Sequence, residues 1–138
     1  MPAHDRDHDA VCAALVADGW TLTNDPLHLR YAGDDIYIDL AAERLIAAEK
    51  GLRRIAVEIK SFSGPSELAD LHGAVGQFVV YREVLAEMDP ERELYLAVTE
   101  EVRTEVFESG VAQLLLARQI RRLVSFDPVR KVIVQWMP

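Results

Sequence analysis

The chain contains 138 residues, 50% of them hydrophobic and 28% charged, which is the balance of a soluble globular protein. We expect one domain over residues 1–138 in a cytoplasmic protein without a membrane partner, because no apolar run approaches the roughly 20 residues that span a bilayer. The formal charge of −8 argues against loose nucleic-acid binding, which needs clustered Lys and Arg, and a single cysteine, Cys12, excludes an internal disulfide.

The first part of the chain predicts a helix followed by strands. Apolar residues at helical spacing indicate a helix over residues 5–18, and Gly19 is a natural end for it. Residues 20–31 are rich in strand-forming residues, but Pro26 marks this strand as interrupted or edge-like.

Two alternating runs flank an ambiguous segment. Residues 36–40 (IYIDL) and 53–62 (RRIAVEIKSF) alternate apolar and polar side chains, as strands with one buried face do. The intervening AAERLIAAEKG has a helical composition, yet it lies between two strands and ends at Gly51. We interpret it as mainly strand.

The second half predicts a crossover helix and the rest of a sheet. Residues 63–88 form a long amphipathic pattern with Ser66 as N-cap, followed by a buried strand over 94–99 and a second helix over 100–118. A hairpin around Asp127-Pro128 closes the chain. This order predicts an α/β fold with a mixed central sheet flanked by helices.

The clearest chemical feature is Glu58-Ile59-Lys60, because residues two apart on a strand project from the same face. A carboxylate there can hold a metal, and an ammonium can lie near an attacking water or a phosphate charge. On this triplet alone, a solvated or cross-strand ion pair is the commoner explanation. Asp39 lies near the end of the IYIDL run and could supply a second carboxylate or cap a turn. Asp35 would project from the same face of the strand and is the alternative to Asp39.

Four other residues are candidates for supporting roles. Gln77 and Tyr81 are four apart on the long helix and therefore share a face, where they could orient a phosphate or the lysine, or pack with local partners. His8 could add a supporting contact or act as a general base, although an isolated surface histidine is the commoner case. Cys12 fits a small buried hydrophobe better than a nucleophile.

Asp39, then Glu58-x-Lys60, then Gln77-x-x-x-Tyr81 resembles the PD-(D/E)xK nuclease superfamily, which has the restriction-endonuclease-like fold. The resemblance implies that Asp39 and Glu58 bind Mg²⁺ or Mn²⁺ and that Lys60 assists the attacking water. It makes Gln77 and Tyr81 an auxiliary helix motif. His8 falls where related resolvases often carry an acidic residue on a helix. Ile38 replaces the proline of the superfamily's name.

A second resemblance extends over nearly the whole chain. The segments HDAVCAALVADGW, IYIDLAAERLIAAEKG, IAVEIKSFSGPSE, GQFVVYR and VIVQW are similar to the XisH family. That family comprises controlling factors for excision of the fdxN DNA element, usually encoded beside an XisI-type companion protein. The resemblance implies DNA and an XisI-type protein as partners.

Two functions stay open at this stage. One is a metal-dependent DNA endonuclease, and the other is a non-catalytic adaptor that has the same fold and binds the companion protein.

A tight hairpin centred near Gly51 predicts Leu45 or Ile46, rather than Asp39, opposite Glu58. The apolar residues Val132, Val134 and Trp136 could support either a homodimer or the core.

Overall fold

The computed structural model describes residues 5–47, 51–108 and 110–138. In these residues, five strands precede the long helix and three follow it. The strands are β1 (Thr21–Asn24), β2 (Leu27–Tyr31), β3 (Asp34–Ile38), β4 (Leu40–Ala47), β5 (Gly51–Ile59), β6 (Glu93–Thr99), β7 (Leu123–Asp127) and β8 (Val132–Met137). The α-helices are α1 (His8–Ala17), α2 (Glu67–Met88), α3 (Glu100–Val106) and α4 (Gly110–Leu115), with a π-helical turn at Leu116–Ile120.

A six-stranded mixed sheet with the order β1-β4-β5-β6-β7-β8 forms the centre, while β2 and β3 form a separate hairpin. The β5–β6 and β6–β7 pairs are parallel, and the other pairs are antiparallel. Parallel neighbours need a crossover connection, which α2 supplies between β5 and β6. The structure confirms the predicted mixed α/β architecture.

Two helical layers cover the two faces of the sheet. Ile55, Val57 and Ile59 pack in one apolar cluster with α1, whereas Ala56 packs in the other cluster with α2. Because side chains alternate along a strand, the even-numbered residues of β5 face the α2 layer. This alternation places Glu58 on the α2 side.

The β4–β5 hairpin has a register that corrects one expectation. Leu40 pairs with Val57 and Leu45 with Leu52, and the pairing continues to Ala47 opposite Gly51. Gly51 is therefore a paired residue of β5 and not the centre of a hairpin turn. The expectation that Leu45 or Ile46 lies opposite Glu58 is wrong, and the position opposite Glu58 falls to Asp39.

The ambiguous AAERLIAAEKG segment is a strand as far as Ala47, and residues 48–50 lie outside the described residues. Pairing with β1 on one side and β5 on the other overrides its helical composition. The interruption at Pro26 is also confirmed, since it separates β1 from β2, and β1 lies at the edge of the sheet.

The predicted N-cap of α2 is confirmed, because Ser66 Oγ accepts a hydrogen bond from the Ala69 N–H at 3.1 Å. The single helix predicted over residues 100–118 is wrong. It is divided into α3, α4 and the π-helical turn. Gly110 has a φ of +67°, a left-handed conformation that an α-helix cannot continue through.

A cluster of arginines and Asp89 fastens the end of α2 to the sheet. Arg54 donates two hydrogen bonds to the Asp89 carboxylate, at 2.8 and 2.9 Å. Arg92 donates to Asp89 at 3.0 Å and to the Ile55 carbonyl oxygen at 3.0 Å. The bidentate geometry fixes where α2 ends relative to β5.

Both tryptophans lie where α1 meets the last strand. The indole N–H groups of Trp20 and Trp136 donate to the same carboxylate oxygen of Asp18, at 3.2 and 3.1 Å, and the ring centroids are 5.6 Å apart. Trp136 also meets Tyr95 edge-on. Trp136 therefore has a core role, whereas Val134 is 47% exposed and the homodimer stays a prediction.

Within the described residues, we find no helix both long enough and apolar enough to cross a bilayer.

Replacement of Asp89 by alanine should lower the free energy of unfolding by about 1–3 kcal/mol, because two half-buried guanidinium groups lose a charged acceptor. Chemical denaturation followed by circular dichroism measures the change. Glu91→Ala is the matched control, since Glu91 is 87% exposed and lies 3.8 Å from the same Arg54. Equal destabilisation by both substitutions would contradict the anchoring role of Asp89.

Candidate functional site

Asp39 and Glu58 lie opposite each other on adjacent strands and are joined by reciprocal hydrogen bonds. The backbone N–H of Asp39 donates to Glu58 Oε1 at 3.2 Å. In return, the backbone N–H of Ile59 donates to Asp39 Oδ2 at 2.8 Å. Each carboxylate is thus held by the backbone of the other residue's strand, and the β4–β5 register creates the pair.

The pair places Glu58 in a desolvated position beside the half-buried Asp39. Glu58 is only 6% exposed. Burial raises the pKa of Glu58 to about 8, and the charge of Asp39 and a hydrogen bond between the two side chains add to the effect, with Lys60 opposing it. In the absence of another cation, Glu58 therefore holds a proton at neutral pH.

Lys60 lies one residue beyond the end of β5, on the Glu58 face of the strand. Its backbone N–H donates to the Ala97 carbonyl oxygen at 3.0 Å, so the parallel pairing with β6 extends to this position. Lys60 lines a cavity of about 210 Å³ with residues of α2 that include Asp70 and Gly73. The structure thus places the ammonium-bearing residue beside open space at the end of the sheet.

Helix α2 brings Tyr81 to the carboxylate pair. Burial raises the pKa of Tyr81 to about 12, with further contributions from the charges of Glu58 and Asp39, so its phenol stays protonated. Gln77 lies one turn earlier on the same face of the helix. Its side-chain Oε1 is buried and has no hydrogen-bond partner among the described residues.

Asp35, the alternative second carboxylate, lies elsewhere. It pairs with Arg30 in the register of the β2–β3 hairpin. Its carboxylate is 2.8 Å from His28 Nε2 and 3.3 Å from the Arg30 guanidinium, in an exposed position. Asp39 is therefore the carboxylate opposite Glu58.

His8 and Cys12 are not part of the carboxylate pair's hydrogen bonds. His8 is buried, with Nε2 at 2.8 Å from Asp25 Oδ1, so the interpretation of His8 as a surface residue is wrong. Cys12 is half-buried rather than fully buried. Burial, and then the charges of Asp25 and Asp9, raise the pKa of its thiol to about 11, which makes Cys12 a poor nucleophile.

The sequence analysis missed Asp5, Asp7 and Ser61, which join the chain before α1 to the residue after Lys60. The Ser61 hydroxyl hydrogen-bonds to the Asp5 carboxylate and donates to Asp7 Oδ2 at 3.0 Å, and the Ser61 N–H donates to Asp5 Oδ2 at 3.2 Å. Asp5 also lines the cavity beside Lys60. Isolated aspartates near a terminus carry no recognisable spacing, so no sequence signal marked them.

The residues present fit a divalent oxygen-binding cation. Mg²⁺ is held in proteins by one or two carboxylates, with water and substrate oxygens completing the coordination. Asp39 and Glu58 supply the carboxylates, and because burial and then the charge of Asp39 raise the pKa of Glu58, a cation at this position would favour its ionised form. The buried Oε1 of Gln77, on the adjoining helix face, is a further polar group that a bound water could satisfy.

Comparison with known proteins gives consistent results. The family model described as XisH protein matches residues 1–134. The crystal structure of an XisH family protein from Nostoc punctiforme PCC 73102 is 37% identical, with a TM-score of 0.87 over 97% of this chain and 100% of that chain. An fdxN element excision controlling factor protein from Anabaena variabilis is 34% identical, with a TM-score of 0.87 over 98% and 100%. The search of curated proteins finds no match.

These similarities confirm the XisH resemblance and the mixed α/β fold. The assignment to the restriction-endonuclease-like fold and the catalytic role of the carboxylate pair stay predictions.

Replacement of Glu58 by glutamine should stabilise the metal-free protein in a pH-dependent way. The folded protein keeps a proton on Glu58 that the unfolded chain releases above pH 4.5, so wild-type stability falls as pH rises from 4.5 to about 8. Glutamine removes this loss while keeping an oxygen for the Asp39 N–H. In the presence of a chelator, the free energy of unfolding of Glu58→Gln should exceed that of the wild type by about 1–3 kcal/mol at pH 9. At pH 4.5 the two values should be nearly equal.

Urea denaturation across this pH range measures the difference. Glu101→Gln, at an exposed position of α3, should show no such pH dependence. A constant difference between Glu58→Gln and the wild type at all pH values would show that the pKa of Glu58 is not raised by folding.

Proposed function

Because the chain belongs to the XisH family, we propose that it acts as a controlling factor in excision of a DNA element through a magnesium-dependent phosphodiester-hydrolysis site. The observation that carries the proposal is the pairing of the buried carboxylate of Glu58 with the half-buried carboxylate of Asp39, each hydrogen-bonded to the other's strand. The solved relative from Anabaena variabilis, described as an fdxN element excision controlling factor, supports the link to DNA excision.

Asp39 and Glu58 would hold the metal ion, each through a carboxylate oxygen. Bound Mg²⁺ supplies positive charge at the phosphate and lowers the pKa of a coordinated water. Metal binding requires Glu58 to give up the proton that it holds in the metal-free protein. Without a metal ion, two ionised carboxylates at this position would repel each other, and a bound cation would remove that repulsion.

Lys60 supplies the second positive charge of the site. It follows β5 on the same face as Glu58, and its charge already favours the ionised form of that residue. A lysine in this position stabilises negative charge that develops on a phosphodiester during attack by water. Because the Tyr81 phenol stays protonated beside the two acids, it can donate a hydrogen bond to a phosphate or carboxylate oxygen.

The net charge of −8 favours a second function, that of an adaptor. A strongly acidic protein binds duplex DNA weakly unless a local site or a basic partner compensates. In this alternative, the chain binds an XisI-type companion protein, and the carboxylate pair has no catalytic role.

Metal binding and DNA cleavage should separate the roles of the three residues. We expect Mg²⁺ or Mn²⁺ binding in calorimetry to weaken by at least about tenfold in Asp39→Ala and Glu58→Ala. Lys60→Ala should retain metal binding while losing about 10²–10³-fold in cleavage rate. Asp35→Ala is the matched control and should behave as wild type, because Asp35 lies on the exposed hairpin.

Cleavage would be tested on duplex, single-stranded and branched DNA. Absence of metal binding in the wild type, with each DNA present, would overturn the catalytic proposal. Binding of a purified XisI-type protein by wild type and Glu58→Ala alike would then support the adaptor function.

Gln77→Leu tests whether the auxiliary helix motif serves the site or the fold. Leucine removes a buried oxygen without a hydrogen-bond partner in the described structure, so the free energy of unfolding should stay equal or rise by up to about 1 kcal/mol. Cleavage should nevertheless fall. Gln113→Leu, at an exposed position of α4, should alter neither. A destabilised Gln77→Leu protein would indicate a structural role instead.

A further inference from the structure

We propose that His8, Cys12 and Asp25 form a second metal site, one that takes a transition-metal ion of the Zn²⁺ class. The side chains offer one nitrogen, one sulfur and one carboxylate oxygen, and these three ligand atoms all lie within 4.8 Å of one another. The proposal is independent of the carboxylate pair of Asp39 and Glu58.

The local sequence explains why the three residues meet. His8 and Cys12 are four residues apart on α1, so their side chains lie on the same face of the helix. Asp25 follows the end of β1, where the chain passes to the β2–β3 hairpin. Contacts between α1 and β1 bring the helix face to this connection.

Two ligand-atom distances, which end on different oxygens of Asp25, lie within about 0.5 Å of those in a tetrahedral site. His8 Nε2 lies 2.8 Å from Asp25 Oδ1, and Cys12 Sγ lies 4.0 Å from Asp25 Oδ2. Metal–ligand bonds of about 2.0–2.3 Å in a tetrahedron put ligand atoms about 3.3–3.8 Å apart. The first distance must open and the second must close by about 0.5 Å each, which small side-chain rotations allow.

The donor set selects the metal. A thiolate and an imidazole disfavour Mg²⁺ and Ca²⁺, whereas Zn²⁺ and Co²⁺ bind nitrogen, sulfur and oxygen together. The thiolate and the Asp25 carboxylate would neutralise the charge of a divalent ion. Asp9, whose charge acts on Cys12, adds to the local negative potential. Three protein ligands leave a fourth position for water.

Such a site would act as a clamp between α1 and the connection that leads to the hairpin. The hairpin ends at Ile38, directly before Asp39, so the clamp lies on the chain segment that precedes the carboxylate pair. We expect bound Zn²⁺ to raise the thermal unfolding temperature of the full chain.

Cobalt substitution provides the test, because thiolate-to-Co²⁺ charge transfer absorbs in the near ultraviolet and tetrahedral Co²⁺ absorbs in the visible range. The full chain, freed of metal by chelation, would be titrated with Co²⁺ and then with Zn²⁺ in competition. We expect one thiolate-bound Co²⁺ per chain, counted from the thiolate band so that any Co²⁺ held by the carboxylate pair is not included. Cys12→Ser should lose the band, and Asp25→Asn should weaken binding at least about tenfold.

His8→Ala should also abolish tight Co²⁺ binding. Because His8 is buried and its replacement can impair folding, Asp25→Asn at the exposed Asp25 tests the site independently. His72→Ala and Asp34→Asn are matched controls at exposed positions and should bind Co²⁺ as wild type does. Glu58→Gln should keep the thiolate band of the wild type, which separates this site from the magnesium site. A wild-type protein without a thiolate band, or a visible spectrum unchanged in Cys12→Ser and Asp25→Asn, would overturn the proposal.

Discussion

The register between β4 and β5 is the constraint on which the candidate site depends. Pairing of Leu40 with Val57 brings Asp39 opposite Glu58 and allows each strand's backbone to hydrogen-bond the other strand's carboxylate. A slip of one residue would turn one carboxylate towards the α1 layer, because neighbouring side chains on a strand point to opposite faces. The apolar residues that fix the register therefore also fix the chemistry.

The core offsets the cost of burying Glu58 beside Asp39. Ile55, Val57 and Ile59 on one face of β5 are almost fully buried against α1, and Ala56 lies under α2 on the other. A strand held so firmly on both faces can carry a desolvated glutamate near its end. A buried acid lowers stability locally, and such local costs are expected at functional sites, where the surrounding packing compensates for them.

Much of the fold could be predicted from the sequence, because alternation and helical periodicity are strong in β5 and α2. The broken helix after β6 could not, since a helical composition does not reveal the left-handed conformation of Gly110. The site residues were suggested by type and spacing, but their register depends on where the β4–β5 turn falls. The pairings of Asp25 with His8 and of Ser61 with Asp5 join residues distant in sequence, and no local pattern encodes them.

The shared acceptor of Trp20 and Trp136 has a practical consequence for spectroscopy. The chain contains two tryptophans, and both indoles lie at the junction between the first helix and the last strand. Intrinsic fluorescence will consequently report whether α1 and β8 are packed together. Both tryptophans report on the same region of the protein, and neither lies on α2. A fluorophore attached to α2 would therefore be needed to follow changes around that helix.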